Sequence, residues 1–142
     1  MLAILGLAVV VAVPLVAHQV RLVQIHSAAE QLAANLRAAR MVAVSIRRPV
    51  NVRVDVDPAN EYSFPDVRGR DRRVRLPEGI RIVSSTTPIS FLPDGSLSDV
   101  AVTVLESPAR DGLLDRWTVT TGILGIARTS HERLGAGAGG GR

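Results

Sequence analysis

One long, unbroken helix is the feature that most constrains how this chain folds. Residues 1–17 carry no charged or polar side chain, and the chain then turns polar without a Gly or Pro to break it before Pro49. In this polar stretch the apolar residues recur at alternating steps of three and four, the spacing of one stripe along an α-helix. The stripe consists of Leu22, Ile25, Ala29, Leu32, Leu36, Ala39, Ala43 and Ile46. The residue before a proline is disfavoured in a helix, so we expect the helix to end at Arg48, after about 70 Å at 1.5 Å per residue.

The two halves of this helix differ in character. Residues 1–20 are predicted to form a membrane-spanning or filament-core half, although their apolar run, residues 1–17, is slightly shorter than the about 20 apolar residues that a spanning helix needs. A cleaved signal peptide is the alternative, but its basic leading segment and small-residue cleavage site are missing. Pro14 lies inside the run, where membrane helices tolerate a kink.

Residues 21–48 are predicted to form an amphipathic half that packs on the chain's own domain. We expect the helix–sheet contact to be made by Leu22, Ile25, Leu32, Leu36 and Ile46. A free-standing coiled coil is less consistent with the sequence, because alanines occupy several positions of the apolar stripe and the stripe is short.

Residues 50–128 are predicted to form an antiparallel β domain. Valines at 50, 52, 54 and 56 alternate with polar residues, which is typical of a half-buried strand. Further short strands are expected at 61–64, 80–83, 89–92, 100–105 and 116–128, the last interrupted by a bend or bulge at Gly122 and Gly125. Residues 129–142 are predicted to be a flexible Gly-rich tail. A single helix followed by short strands and frequent turns indicates an α+β fold.

The sequence offers no catalytic or metal-binding constellation. Cysteine is absent, and the three histidines are too far apart along the chain to share a metal. The acids around Asp55 and Asp57 lack the glycine of a calcium loop, and Pro58 interrupts them. We therefore predict a protein that is not an enzyme and uses no metal or cofactor.

A basic segment, residues 68–75, is the one candidate for an anion-binding site. All 17 basic residues of the chain are arginines, and five of them fall in this segment, which is expected to be an irregular loop. The five are Arg68, Arg70, Arg72, Arg73 and Arg75. They are candidates for contacts with phosphates of DNA or with anionic lipid headgroups, whereas the alternative is a solvated loop neutralised by nearby acids. Aromatic residues, at 3%, are too few for a base-stacking platform.

The parts together resemble type IV pilins and pseudopilins. Leu2, Ala3, Ile4, Leu5, Gly6, Leu7 and Pro14 match the apolar helix of that family. Three segments are similar to the H-type minor pseudopilin of type II secretion and to the related FimT-type minor pilins. They are residues 32–55, the ISFLPDGSLSD of residues 89–99, and the WTVTTGILGIAR of residues 117–128. The F-x-P-D-G segment and the V-x-x-G-x-x-x-I-x-R ending are the discriminating motifs.

The resemblance implies a structural subunit. Such subunits cross the bacterial inner membrane once, in contact with its lipid, are trimmed by prepilin peptidase, and pack their helices with those of other pseudopilins or pilins. Their C-terminal domain lies in the periplasm or cell envelope. The alternative that the resemblance leaves open is a minor type IV pilin, with nucleic acid as a partner during DNA uptake.

One departure from the family concerns the start of the chain. The peptidase motif and the glutamate that follows it do not precede Leu2. We expect Met1 to be a misassigned start, and the gene to encode an in-frame leader ending in Gly and followed by a motif like F-T-L-x-E. The codons upstream of Met1 test this expectation.

Overall fold

The chain folds as one helix followed by eight strands. The structure is a computed structural model that describes residues 2–109 and 112–135, with helix side chains from Val20 onward. The helix, α1, spans Leu2–Ile46. The strands are β1 (Val50–Asp55), β2 (Glu61–Pro65), β3 (Asp71–Arg75), β4 (Arg81–Ser85), β5 (Ile89–Phe91), β6 (Ala101–Pro108), β7 (Leu114–Thr121) and β8 (Ala127–Leu134).

The strands form two four-stranded sheets, and the pairs between neighbouring strands are antiparallel. Sheet 1 has the order β3-β2-β1-β5, and sheet 2 has the order β4-β6-β7-β8. The valines of β1 are buried at alternate positions, as the sequence pattern predicts, while the residues between them face solvent. The predicted α+β fold with antiparallel pairing is thereby confirmed.

The helix packs against both sheets and closes a single apolar core. Its buried face runs from Ile25 to Ala43 and meets the inward-facing residues of the strands, among them Tyr62, Phe91 and Leu105. Alanines at 29, 33, 39 and 43 are fully buried on this face. Because an alanine projects only a methyl group, the helix backbone is able to lie close to the sheets along this line.

The helix ends two residues before the predicted Arg48. Arg47 adopts a positive φ of 54°, and the Arg48 N–H donates to the Ala43 carbonyl oxygen at 3.3 Å. This is the hydrogen bond of a Schellman motif, which turns the chain out of the helix ahead of Pro49. Ile46 lies in this final turn and is exposed, so its predicted place in the helix–sheet contact is wrong.

Two other segments differ from the sequence prediction. The second half of the basic segment is not an irregular loop, because Asp71–Arg75 pairs along its whole length with β2. The β domain also extends beyond residue 128, since β8 continues to Leu134 and pairs with β7. The predicted tail at 129–142 therefore begins no earlier than residue 135, and residues 136–142 lie outside the described residues.

Within the described part of the chain, no helix meets the length and hydropathy expected of a membrane span. The side chains of residues 1–19 lie outside the described residues. The predicted contacts of Leu2, Ala3, Ile4, Leu5, Gly6, Leu7 and Pro14 therefore stay predictions.

Candidate assembly surface

The amphipathic half of α1 fixes the β domain on the helix. Ile25, Leu32 and Leu36 are buried, and Leu22 is half-buried. Polar contacts at the edges of the buried face join the helix to each sheet. Asn35 Nδ2 donates to the Tyr62 hydroxyl oxygen of β2 at 2.7 Å, and Thr129 Oγ1 of β8 donates to Glu30 Oε1 at 2.7 Å.

Tyr62 is the largest fully buried side chain of sheet 1. Its burial raises the pKa of the phenol, while the hydrogen bond with Asn35 and the positive charge of Arg72 act in the opposite direction. The phenol therefore stays protonated at neutral pH and is held by Asn35. The contact fixes the rotation of α1 relative to sheet 1.

Two turns of the same kind meet beside the C-terminal part of α1. In the first, residues 92–95, the Gly95 N–H donates to the Leu92 carbonyl oxygen at 2.8 Å. In the second, residues 122–125, the Gly125 N–H donates to the Gly122 carbonyl oxygen at 2.8 Å. Gly95 and Gly125 have φ values of 83° and 74°. This pattern is typical of a hairpin loop in which a turn is followed by a glycine in the left-handed conformation. Residues 122–125 are therefore a hairpin loop between β7 and β8, so the one strand expected at 116–128 is two strands that separate at the predicted glycines.

Two arginines of the helix hold these turns. Arg40 Nε donates to the Gly95 carbonyl oxygen at 2.9 Å, and Arg37 Nη2 donates to the Ala127 carbonyl oxygen at 3.2 Å. The segment after the first turn also bonds to the second turn, since the Leu97 N–H donates to the Ile123 carbonyl oxygen at 2.7 Å. The two sequence motifs that carry the family resemblance thus form one structural junction with the helix.

The glycine at position 125 is required by this junction. A Cβ built at Gly125 would overlap the Gly95 carbonyl oxygen and lie 2.9 Å from Arg40 Nε. A Cβ at Gly95 would lie 3.0 Å from both Arg40 Nε and Val44 Cγ2. The contact between the two turns was not predicted from the sequence. Its only visible signal was the glycines in P-D-G and G-x-x-G.

The first turn is further ordered by its own carboxylate. Asp94 Oδ1 accepts hydrogen bonds from Ser96 Oγ at 2.6 Å and from the Ser96 N–H at 2.9 Å. The Ser96 hydroxyl, followed by the backbone N–H, lowers the pKa of Asp94 below its usual value. The carboxylate is therefore ionised and holds the turn in shape at neutral pH.

Exposed apolar side chains surround the junction. At the second turn Ile123 is 58% exposed and Leu124 is 71% exposed. Ile126 and Leu92 nearby, and Met41 and Val44 on the adjoining helix face, are exposed as well. Exposed apolar side chains that cluster in this way mark a candidate surface for contact with another protein. We call residues 122–126 the apolar tip.

The arginines of the basic segment do not form one surface. Arg72 pairs across the strands with the inward-facing Phe64, whereas Arg73 pairs with Ser63, so their side chains leave β3 on opposite faces. Arg70 forms a two-pronged pair with Asp66 at 3.0–3.1 Å, and Arg73 lies 3.6 Å from Glu61. Arg68 is exposed in the turn, and Arg75 is exposed at the end of β3.

Asp66 neutralises part of this segment and also shapes its turn. It accepts from the Arg70 and Arg68 N–H groups, which lower its pKa together with the Arg70 guanidinium. The Asp66 carboxylate is therefore ionised and pairs with the Arg70 guanidinium. The positive charge of the basic segment is therefore not concentrated on one surface, and carboxylates neutralise part of it.

The histidines that the structure describes serve packing. The rings of His26 and His131 lie 4.8 and 4.7 Å from that of Trp117. His131 Nε2 is also 3.2 Å from Asp115 Oδ1. Among the described side chains no group of three or more His, Cys, Asp or Glu residues is arranged to hold a metal. His18 lies outside the described side chains.

A long helix packed across two antiparallel sheets, closing one apolar core, is the fold of pilin-like subunits. Two crystal structures of the type IV minor pilin FimU from Pseudomonas aeruginosa share this fold, with TM-scores of 0.54 and 0.53 and 21% sequence identity. The alignments cover 75% of this chain and 87% and 91% of the FimU chains. The chain belongs to the type II transport protein GspH family, whose model matches residues 28–125.

The family match confirms the predicted identification as a pilin-like minor pseudopilin. The matched residues begin in the amphipathic half of α1 and end at Gly125, the last residue of the second turn. The family and the fold are those of structural, pilin-like proteins. No curated protein sequence matches the chain at a significant level.

Proposed function

We propose that this protein is a structural minor pseudopilin, a subunit of the short envelope filament of a type II secretion system. The observation that carries the proposal is the family match over residues 28–125, which includes most of the buried helix face, sheet 1, strands β4, β6 and β7 of sheet 2, and the two turns. In this function the subunit does no chemistry. Its β domain is held at a fixed angle to the helix, and the helix packs with those of other pilin-like subunits.

The N-terminal part of the helix supplies the anchor in this proposal. Residues 1–17 are uncharged and apolar in sequence, and the helix that begins at Leu2 continues without a break into the buried face at Ile25. An apolar segment joined rigidly to a folded domain suits insertion in the inner membrane and later packing against equivalent helices. The β domain then lies on the periplasmic side.

Deletion of the gene tests which machine the subunit serves. We expect loss of secretion of type II substrates, with surface pili and their motility unchanged, and full recovery when the intact chain is supplied in trans. A deletion strain that secretes normally but lacks pili would contradict the pseudopilus function.

A minor type IV pilin that binds DNA is the second candidate. It is supported by the shared fold with FimU and by the five arginines of the basic segment. Against it, Arg72 and Arg73 leave β3 on opposite faces, and Arg70 and Arg73 have carboxylate partners. Phosphate binding along a duplex favours basic groups on one continuous surface.

We therefore expect no DNA binding at physiological salt. The intact chain in an uncharged detergent should leave duplex DNA unretarded in a gel, and the triple variant Arg70→Glu, Arg72→Glu, Arg73→Glu should behave identically. Arg53→Glu, a charge change on β1, which β2 separates from β3 in sheet 1, is the matched control. Salt-sensitive retardation that the triple variant abolishes and Arg53→Glu preserves would establish the DNA-binding alternative.

A further inference from the structure

Two open hollows lie side by side at the end of the β domain where the described helix side chains begin. The larger has a volume of about 530 Å³, and its apolar lining consists of Pro58, Ala59, Leu76, Pro77, Ile80 and Pro108. The smaller, of about 470 Å³, shares residues 78–80 and Pro108 with it and reaches Arg21 and Gln24 of α1. We call the residues that line the two hollows the base of the domain.

The helix fixes the distance of the base from the apolar N-terminal residues. α1 spans Leu2–Ile46 without a break, and Arg21 lies four residues beyond Ala17, the last residue of the apolar run. At 1.5 Å per residue that separation is about 6 Å along the axis. A bilayer has a hydrocarbon core of about 30 Å and a total thickness of about 40–45 Å, so each headgroup layer is about 5–8 Å deep. When residues 1–17 occupy the hydrocarbon, Arg21 and the base beside it therefore lie at the level of the headgroups.

The charge of the base suits a layer of anionic phospholipid. Three arginines and one glutamate line the two hollows, and all four are exposed: Arg21, Arg75, Arg81 and Glu78. Among the residues that the structure describes, no carboxylate lies within 4.0 Å of these three guanidinium groups. Acids beside the base have other partners, since Asp57 accepts from Asn60, Glu61 lies near Arg73, and Glu106 accepts from Arg116. The three arginines are therefore available to phosphate groups.

The apolar part of the base suits the same layer. Pro58 and Pro77 are exposed in the turns that border the larger hollow. At the same level of the helix, Val20 is 47% exposed and Val23 is 65% exposed. Exposed apolar groups beside basic ones are typical of segments that lie at the boundary between headgroups and acyl chains of an anionic membrane.

We propose that the base of the domain lies on the headgroup layer of the membrane that holds the helix, with its arginines bound to phosphates of anionic phospholipid. The inference rests on the proposed function, because it takes residues 1–17 as the anchor, and it adds a lipid-binding surface on the folded domain. The apolar tip then lies far from the bilayer. Gln24 of the base and Arg40, which holds the two turns, are about 24 Å apart along the helix axis.

Quenching of a probe by lipid headgroups tests the contact. The chain has no cysteine of its own, so Pro77→Cys in the base and Leu124→Cys in the apolar tip each accept one fluorophore. The intact chain is reconstituted in vesicles of phosphatidylcholine, with or without phosphatidylglycerol, in which some headgroups carry a nitroxide quencher. In vesicles with phosphatidylglycerol we expect quenching of the probe at 77 and none of the probe at 124. Salt at 1 M should reverse the quenching, because it limits electrostatic attraction to about 3 Å.

Removal of single charges gives the size of the effect. Each arginine near an anionic surface strengthens membrane binding about fivefold, so Arg21→Gln and Arg81→Gln should each lower the ratio of quenched to unquenched probe by about that factor. Arg128→Gln is the matched control, because Arg128 is exposed at the start of β8, beside the apolar tip. Unchanged quenching in Arg21→Gln, or an equal decrease in Arg128→Gln, would overturn the proposal.

The outcome is separable from that of the proposed function. If the chain floats with the vesicles and the probe at 77 is not quenched more than the probe at 124, the lipid contact is wrong and the subunit function stands. If the probe at 77 is quenched as expected but the deletion strain secretes normally, the lipid contact stands and the pseudopilus function fails. A chain that does not float with the vesicles overturns the inference, because the base then has no anchored helix beside it.

Discussion

Replacing Leu32 by Asp is expected to destabilise the folded chain by about 3–5 kcal/mol. Leu32 is fully buried between the helix and the sheets, inside a cluster formed by apolar side chains. A carboxylate there loses its hydration without gaining a hydrogen-bond partner. The free energy of unfolding is measured by denaturant titration of the intact chain, with the fluorescence of its one tryptophan, Trp117, as the signal.

Gln31→Asp is the control for this variant. Gln31 adjoins Leu32 on the same helix but is exposed, so the same carboxylate remains hydrated. We expect a change within about 0.5 kcal/mol. Losses of equal size in the two variants would show that the buried face of the helix is misassigned.

Gly125→Ala is expected to cost about 2–5 kcal/mol, from two separate effects. The φ of 74° disfavours any residue with a Cβ, and the added methyl would overlap the Gly95 carbonyl oxygen. The overlap forces apart the two turns that Arg40 joins. Denaturant titration gives the loss of stability.

Gly69→Ala separates the two effects. Gly69 has nearly the same φ, 75°, but a Cβ there meets no atom within 4 Å. Gly69→Ala should therefore lower the free energy of unfolding only by the cost of the unfavourable φ, about 1–2 kcal/mol. If Gly125→Ala costs no more than Gly69→Ala, the two turns are not in close contact beside Arg40.

The helix and its packing face were predictable because periodicity is a local signal. Ile25, Leu32 and Leu36 repeat at the helical period, and a stripe of that spacing needs a surface to bury it. Ile46 continues the period but lies where the Schellman turn carries the chain away from the sheets. Periodicity identifies the face of a helix without showing where the partner surface ends.

The edge strand β3 was not predictable from the same kind of pattern. An edge strand with four of its five residues exposed has no alternation of apolar and polar residues to reveal it. Arginines on such an edge also discourage pairing with other chains, a role that the sequence alone does not distinguish from anion binding.

The junction of the two turns depends on contacts between residues far apart in the chain. Arg40, Gly95 and Gly125 meet only after the helix has packed on the sheets. Each turn was recognisable by its glycines, but nothing in either segment indicates that the other turn and an arginine lie against it. The family resemblance identified these segments as distinctive without explaining them, and the structure supplies the physical reason.

The most direct test of the account is whether the protein is a component of the filament. Pseudopili are sheared from cells that express the intact chain with the other subunits of its secretion system, and the purified filaments are probed for it. The account predicts the chain in the filament fraction, and predicts that Leu32→Asp is lost from it while Gln31→Asp is retained. A folded, stably expressed chain found entirely outside the filaments would contradict it.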